Sequence, residues 1–205
     1  MLKNIECIVF DIGGVLVDLN LERCISQFKT LGFADAERLV SCYHPADFFG
    51  ALERGELSVG EFCDKIREVS GLDSLSDDSI CCAYCSLLES IPRQKLQMLE
   101  SLRGRGFRLF ALSNINPVMI SMIRGFFEAD GRSADFYFEE MFLSFEMGVM
   151  KPSREIYERV VAATGVEPSR ILFVDDGVKN VEAARELGFQ VYLASAKEDF
   201  SHIFE

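Results

Sequence analysis

The stretch "IVFDIGGVLVD", residues 8–18, ends an apolar run in one carboxylate, Asp11, with Gly13 and Gly14 close behind. Three later runs end in the same way. "FRLFAL" delivers Ser113 and Asn114, "MFLSF" leads into "EMGVMKP" with Lys151, and "ILFV" delivers Asp175 and Asp176, with Asn180 a turn later. If these ends converge, they assemble three carboxylates, one ammonium, a hydroxyl and backbone N–H groups freed by glycine. Three carboxylates without histidine or cysteine suit a hard, oxygen-seeking cation such as Mg²⁺. A lysine and a hydroxyl beside them suit a phosphoryl group, whose oxygens need compensating positive charge. An aspartate can also act as nucleophile and form an aspartyl-phosphate. The chemistry such a set would support is Mg²⁺-assisted phosphoryl transfer through a covalent intermediate.

Convergence requires a scaffold, and the hydrophobic pattern supplies one. Residues 5–10, "IECIVF", read as a buried strand that breaks at Asp-x-Gly-Gly. From about 20 to 90 the apolar spacing is three and four, the period of helices, with a Ser58-x-x-Glu61 capping box and Gly55 as a helix end. A further helix follows Pro92. Strands and helices then alternate: "FRLFALSN", helix 117–127, "MFLSF", "SREIYERVVAATG", "RILFVDD", "VKNVEAARELG" and "QVYLAS". Alternation at this length implies βαβ units and a doubly wound parallel α/β sheet. In such a sheet ligands bind beyond the carboxyl ends of the strands, where the polar residues fall. The expected organisation is an α/β core from 1–16 and 91–205, with a helical-bundle cap, 17–90, inserted after the first strand.

"FDIGGVL", "LSN", "KPSREIY" and "FVDDGVKN", in this order and spacing, resemble the four motifs of the haloacid dehalogenase superfamily. The resemblance covers nearly the whole chain, and "ERGELSVGEF" in the helical block is similar to the cap of its small sugar-phosphate phosphatases. It implies a Rossmann-like core and, residue by residue, a set of roles. Asp11 is the implied nucleophile and a metal ligand, and Gly13 a ligand through its carbonyl. Asp176 is implied as the direct metal ligand, with Asp175, and Asn180 beside it, ordering the ligand shell. Ser113, the backbone N–H of Asn114 and the glycine-freed backbone at Gly14 are implied to hold phosphate. Lys151 is implied to neutralise phosphate and to keep Asp11 ionised.

One position departs from the pattern. Most phosphatases of the superfamily carry an aspartate two residues after the nucleophile, which protonates the leaving oxygen and then activates water. Here Gly13 can do neither, and a lost general acid–base costs on the order of 10²–10⁴ in rate. Three readings stay open: a phosphatase that moves the proton by water, a substrate hydroxyl or the remote Asp18; a metal-free 2-haloacid dehalogenase; or a phosphate-binding regulatory protein without turnover. Adjacent Asp175 and Asp176 count against the second, because they repel Asp11 unless a cation lies among them.

The remaining features set limits. The 205 residues suit one compact unit, and 33 acidic against 21 basic residues give a net charge of −12. That charge disfavours nucleic acid and anionic membrane surfaces, yet leaves room for a small phosphorylated metabolite held by a local cation. Neither a leader peptide nor an apolar stretch of the ~18 residues of a spanning helix is read. Seven scattered cysteines suggest a reduced, cytoplasmic protein. "CCAYC" at 81–85 reads as small buried hydrophobes in a helix, since only His44 and His202 could join it as imidazole ligands. The Phe-rich stretches read as packing, and "RGRGFR" as a basic turn from which Arg103 or Arg105 could reach a phosphate. Oligomeric state is not legible.

Overall fold

A computed structural model of the chain describes residues 4–37 and 48–204. Cys42, His44 and the start of the helix read in "ADFFGALERG" lie outside the described residues. After β1 (Cys7–Phe10), the described residues include α1 (Leu21–Thr30), α2 (Phe48–Glu53), α3 (Val59–Ser70) and α4 (Asp77–Cys85). Then α5 (Arg93–Gly104), β2 (Arg108–Ser113), α6 (Pro117–Ala129), α7 (Ala134–Tyr137) and β3 (Glu140–Leu143) follow. Next come α8 (Ser144–Met147), α9 (Arg154–Thr164), β4 (Ile171–Asp175), α10 (Val178–Glu186), β5 (Gln190–Leu193) and a short helical turn at Ser201–Phe204.

The five strands form one sheet of order β3-β2-β1-β4-β5, parallel throughout. Every residue of β1 is fully buried, the signature of a strand covered on both faces. Its alternate side chains enter two cores. Ile8 and Phe10 join Leu109, Ala111, Leu172 and Val174 on the α5–α6 side. Cys7 and Val9 join Phe110, Phe173, Tyr157 and Val160 on the α9 side. Because β1 is flanked by β2 and β4, the residues following all three strands meet at one edge. Asp11, Ser113 and Asp175 lie at that edge for this reason.

The Ser58–Glu61 capping box forms at the start of α3, with both reciprocal hydrogen bonds. Phe28, Leu52, Phe62 and Ile66 are fully buried among the helices, and the rings of Phe49, Phe62 and Tyr84 lie 5.2–5.5 Å apart. The segments entering and leaving this block run side by side. Asp18 N–H donates to Ser90 O (2.9 Å), Glu89 N–H to Asp18 O (2.8 Å) and Asn20 N–H to Leu87 O (2.7 Å).

One boundary differs from expectation. "MFLSF" reads as a strand, but β3 stops at Leu143 and Ser144 opens α8. The Ser144 hydroxyl accepts from Ile115 N–H at 2.9 Å and donates to Glu53 O at 2.7 Å. Those bonds need the chain to turn there, and Gly148 in the left-handed region ends the turn. They also tie the loop after β2 to the end of α2. At Gly55, also left-handed (φ 68°), an added Cβ would lie 2.3 Å from Phe145 O. The α2–α3 turn therefore packs backbone to backbone on α8.

Gly55→Ala meets both a left-handed backbone and that clash. It should lower unfolding free energy in urea by about 1–3 kcal/mol; a change below about 0.5 kcal/mol would mean the turn does not dock tightly.

Candidate active site

The site is organised around a buried lysine. Lys151 is 3% exposed, and its ammonium group has three protons to donate. It donates to Leu112 O at 2.9 Å and to Asp175 Oδ2 at 2.7 Å, and pairs with Asp11 Oδ2 at 2.9 Å. The backbone of the lysine is held as firmly. Asn114 Oδ1 accepts from Lys151 N–H at 2.8 Å, while Asn114 Nδ2 donates to Lys151 O at 2.9 Å. The loop after β2 thereby clamps the loop that carries the ammonium group.

Asp11 closes β1 against β4 through its N–H, which donates to Val174 O at 2.8 Å. Its Oδ1 accepts from Ile12 N–H at 2.7 Å. Asp175, fully buried, has its oxygens committed: Oδ2 to Lys151, and Oδ1 to Gly177 N–H (2.7 Å) and Asn180 Nδ2 (2.9 Å). Asp176 faces outward. Oxygens of Asp11, Asp175 and Asp176 lie within 4.8 Å of one another.

Burial pushes the Asp11 carboxyl up to about 7; Lys151 opposes this, and Asp175 and Asp176 add to it. Asp176 is also raised, by burial first and then by Asp175. For Lys151 burial pulls downward, but attraction from Asp11 and Asp175 outweighs it and the net shift is upward. One ammonium thus faces three carboxylates. An all-oxygen set with surplus negative charge fits a hard divalent cation, and among the described residues no other acidic, histidine or cysteine cluster of three converges.

Each sequence-derived candidate has a definite place. Ser113 closes β2, 2% exposed, and with Asn114, Asp11, Gly13 and Asp176 lines a cavity of about 550 Å³ between the sheet edge and the helical block. Gly14 has φ 77°, and a Cβ there would lie 2.2 Å from Asp176 Oδ2. Its N–H donates to Val17 O at 2.9 Å, so the expected phosphate contact from this backbone group is replaced by a turn bond. What Gly14 supplies is room for Asp176. Gly13 has no positive φ, and a Cβ would meet only Leu19 at 3.8 Å, so its lack of a side chain is not forced by space. Asn180 holds Asp175. Asp18 pairs with Lys95 at 3.1 Å, and its backbone is bound into the paired linkers.

Arg103 and Arg105 lie before β2, at the amino edge of the sheet. Arg103 stacks on Phe136 (4.5 Å to the ring centre), and Arg105 donates to Phe204 O at 2.6 Å. Neither reaches the site, because Asp11, Ser113 and Asp175 lie at the opposite, carboxyl edge. "CCAYC" forms the end of α4, where Cys81 Sγ lies 3.9 Å from Cys63 Sγ and Cys85 Sγ donates to Val118 O at 3.3 Å. Sequence reasoning missed three contributions: the Ser144 bridge, the Asn114 side-chain clamp and the cavity walls from the helical block. Phe28 and Phe49, read as packing alone, also line the cavity.

A parallel sheet with a helical block after its first strand, and a lysine–carboxylate cluster at its carboxyl edge, defines a hydrolase architecture. Residues 5–188 match the haloacid dehalogenase-like hydrolase family, and the chain belongs to it. It is 34% identical over 193 residues, 94% of this chain and 91% of the relative, to a D-ribitol-5-phosphate phosphatase of Bacteroides thetaiotaomicron. A family enzyme of that organism, crystallised with magnesium and inorganic phosphate, superposes with TM-score 0.91 at 36% identity, over 98% of this chain and all of the other. A family hydrolase from Porphyromonas gingivalis gives 0.89 at 34% identity, over 98% and 97% of the two chains. The chain is an enzyme of the phosphatase kind within this family.

The raised Asp11 carboxyl has a stability consequence. The folded state holds its proton up to about pH 7, the unfolded chain only to about 3.8, so the contribution of Asp11 falls as pH rises through that window. In EDTA, Asp11→Asn should flatten the melting temperature between pH 4 and 8 and raise it at pH 8. A variant that melts lower than wild type at pH 8 would show that the Lys151 pair outweighs burial.

Proposed function

We propose that the chain hydrolyses a small phosphomonoester, with Mg²⁺ as cofactor, through an aspartyl-phosphate on Asp11. The observation that carries this is the Asp11–Lys151–Asp175 cluster, with Asp176 beside it, opening into a cavity. The magnesium and phosphate bound by the Bacteroides family enzyme support it.

Asp11, Asp176 and the Gly13 carbonyl are assigned to the cation, with Asp175 ordering the shell. The bound cation would supply charge compensation for the phosphoryl oxygens. Lys151, with its three protons committed, aims Asp11 and favours its ionised form against burial; contact with phosphate requires one of those bonds to be exchanged. Ser113 and the Asn114 N–H hold phosphate oxygens. Asp11 attacks phosphorus, the bond to the ester oxygen breaks, and that oxygen takes a proton from water. Water then attacks the aspartyl-phosphate, releasing phosphate and regenerating Asp11. Residues 17–90 act as a cap whose closure excludes bulk water. The D-ribitol-5-phosphate phosphatase relative supports a sugar- or polyol-phosphate substrate. The three clustered carboxylates count against metal-free attack on carbon, because without a cation they disfavour an ionised Asp11.

Phosphate release from p-nitrophenyl phosphate should require Mg²⁺ and be lost in Asp11→Asn by a factor of ~10³ or more, since the covalent step has no other nucleophile. Retained activity in that variant sinks the mechanism. Silence of the wild type towards phosphate esters would instead favour a binding role.

Gly13 has room for a side chain. Gly13→Asp should therefore raise kcat at least tenfold, part of the ~10²–10⁴ that a placed acid–base contributes. An unchanged kcat would indicate that proton transfer does not limit the rate.

A further inference from the structure

The helical block meets the rest of the chain close to the loop after β2, and one buried hydroxyl sits in that contact. Ser144, fully buried at the start of α8, has an oxygen that accepts from Ile115 N–H at 2.9 Å. Its proton has two acceptors within reach: Glu53 O at 2.7 Å and Ile115 O at 3.0 Å. A hydroxyl has one proton to give, so it serves one of these carbonyls at a time. One acceptor belongs to the helical block, the other to the loop that follows Ser113 and Asn114. Glu53 is the last residue of α2, and carbonyls at a helix end need a partner from outside the helix.

We propose that Ser144 is a positioning residue that couples the seating of the cap to the phosphate loop. The inference rests on the phosphatase reading, with residues 17–90 as cap, and deepens it by naming how the cap acts on the site. With the proton on Glu53 O the cap is docked. The hydroxyl oxygen, polarised by that donation, is then a stronger acceptor for Ile115 N–H. This fixes the loop that carries Ser113 and the Asn114 N–H, the groups assigned to phosphate, and whose Asn114 side chain grips Lys151. When α2 lifts, the proton turns to Ile115 O and no buried donor is left unpaired. Undocking therefore costs little at this point, while the docked state holds the loop tightest.

Two neighbouring contacts seat the same segment. The backbone of Gly55 lies against Phe145 O, and Arg54 Nη1 donates to Met150 Sδ at 3.8 Å, one residue before Lys151. The first is steric and the second uses a weak thioether acceptor. Of the three core residues met by the end of α2, Ser144 is the one that also bonds Ile115. Coupling of this kind is reciprocal. If docking of α2 tightens the loop, phosphate bound to the loop must favour docking of α2.

Inorganic phosphate with Mg²⁺ is the probe, because it has no leaving group with which to bridge the cavity to the helical walls. In wild type, saturating phosphate should slow backbone hydrogen–deuterium exchange over residues 50–58, read by mass spectrometry, by about fivefold or more, the low end of coupling between sites. Folded Ser144→Ala should lose that protection. Its inhibition constant for phosphate, measured against p-nitrophenyl phosphate, should rise by about fivefold, the scale of one hydrogen bond. Ser144→Thr keeps the hydroxyl and should retain both. A serine with a structural role alone would lower the melting temperature of Ser144→Ala and move neither readout, and that result overturns the proposal. So does a folded Ser144→Thr that loses as much as Ser144→Ala. If Ser144→Ala does not fold, the wild-type exchange and Ser144→Thr decide the matter. A wild type that hydrolyses p-nitrophenyl phosphate, yet shows no protection of 50–58 by phosphate, overturns the coupling alone. No Mg²⁺-dependent turnover overturns the phosphatase reading, and the coupling with it.

Discussion

The ammonium group of Lys151 is the interaction on which the site depends. Three carboxylates converge within 4.8 Å, two of them buried. At an effective dielectric near 20, a pair of like charges 4 Å apart costs about 4 kcal/mol, so the cluster cannot stay ionised unaided. Lys151 answers two of the three, and even so burial leaves Asp11 raised to about 7. The remaining surplus is what gives the site its appetite for a cation. Asp175, bound to Lys151, Gly177 and Asn180, has little freedom to do more than hold that ammonium group in line.

Because the lysine must be held against this repulsion, its supports extend well beyond the carboxylates. Leu112 O takes its third proton, and the Asn114 amide grips its backbone from both sides. The same loop passes through Ile115 to Ser144, and from there to Glu53 in the helical block. The parts that would handle phosphate and the parts that line the leaving-group cavity are therefore one hydrogen-bonded unit. The close backbone approach of Gly55 to Phe145 completes that contact.

Gly13 and Gly14 make opposite physical arguments although they are neighbours. Gly14 is required: its backbone is left-handed, and its missing Cβ is space occupied by Asp176. Gly13 is permitted, since its backbone and surroundings tolerate a side chain. Packing does not impose the lack of a side chain at Gly13. Asp18, the remote candidate for proton transfer, is engaged with Lys95 in the paired linkers and does not line the cavity.

The strand ends were legible in the amino-acid sequence because burial on both sheet faces demands apolar runs, and a polar residue at the end of such a run stands out. Asp11, Ser113, Lys151, Asp175 and Asp176 followed from that pattern, as did the parallel sheet and the capping box at Ser58. Other features carry no local signal. Ser144 sits in a run that reads as strand, and its turn exists only because two distant backbones offer it partners. Asn114 is visible as a polar residue, but its grip on Lys151 spans 37 positions. Gly14 reads as a phosphate-binding glycine until Val17 takes its N–H. Glu53 looks like any charged helix residue until folding buries it in the wall of a cavity. Sequence alone determined which groups gather at the sheet edge, since periodicity reports burial. Tertiary structure alone decided which of their hydrogen-bonding atoms are already committed, because those partners come from segments far apart in the chain.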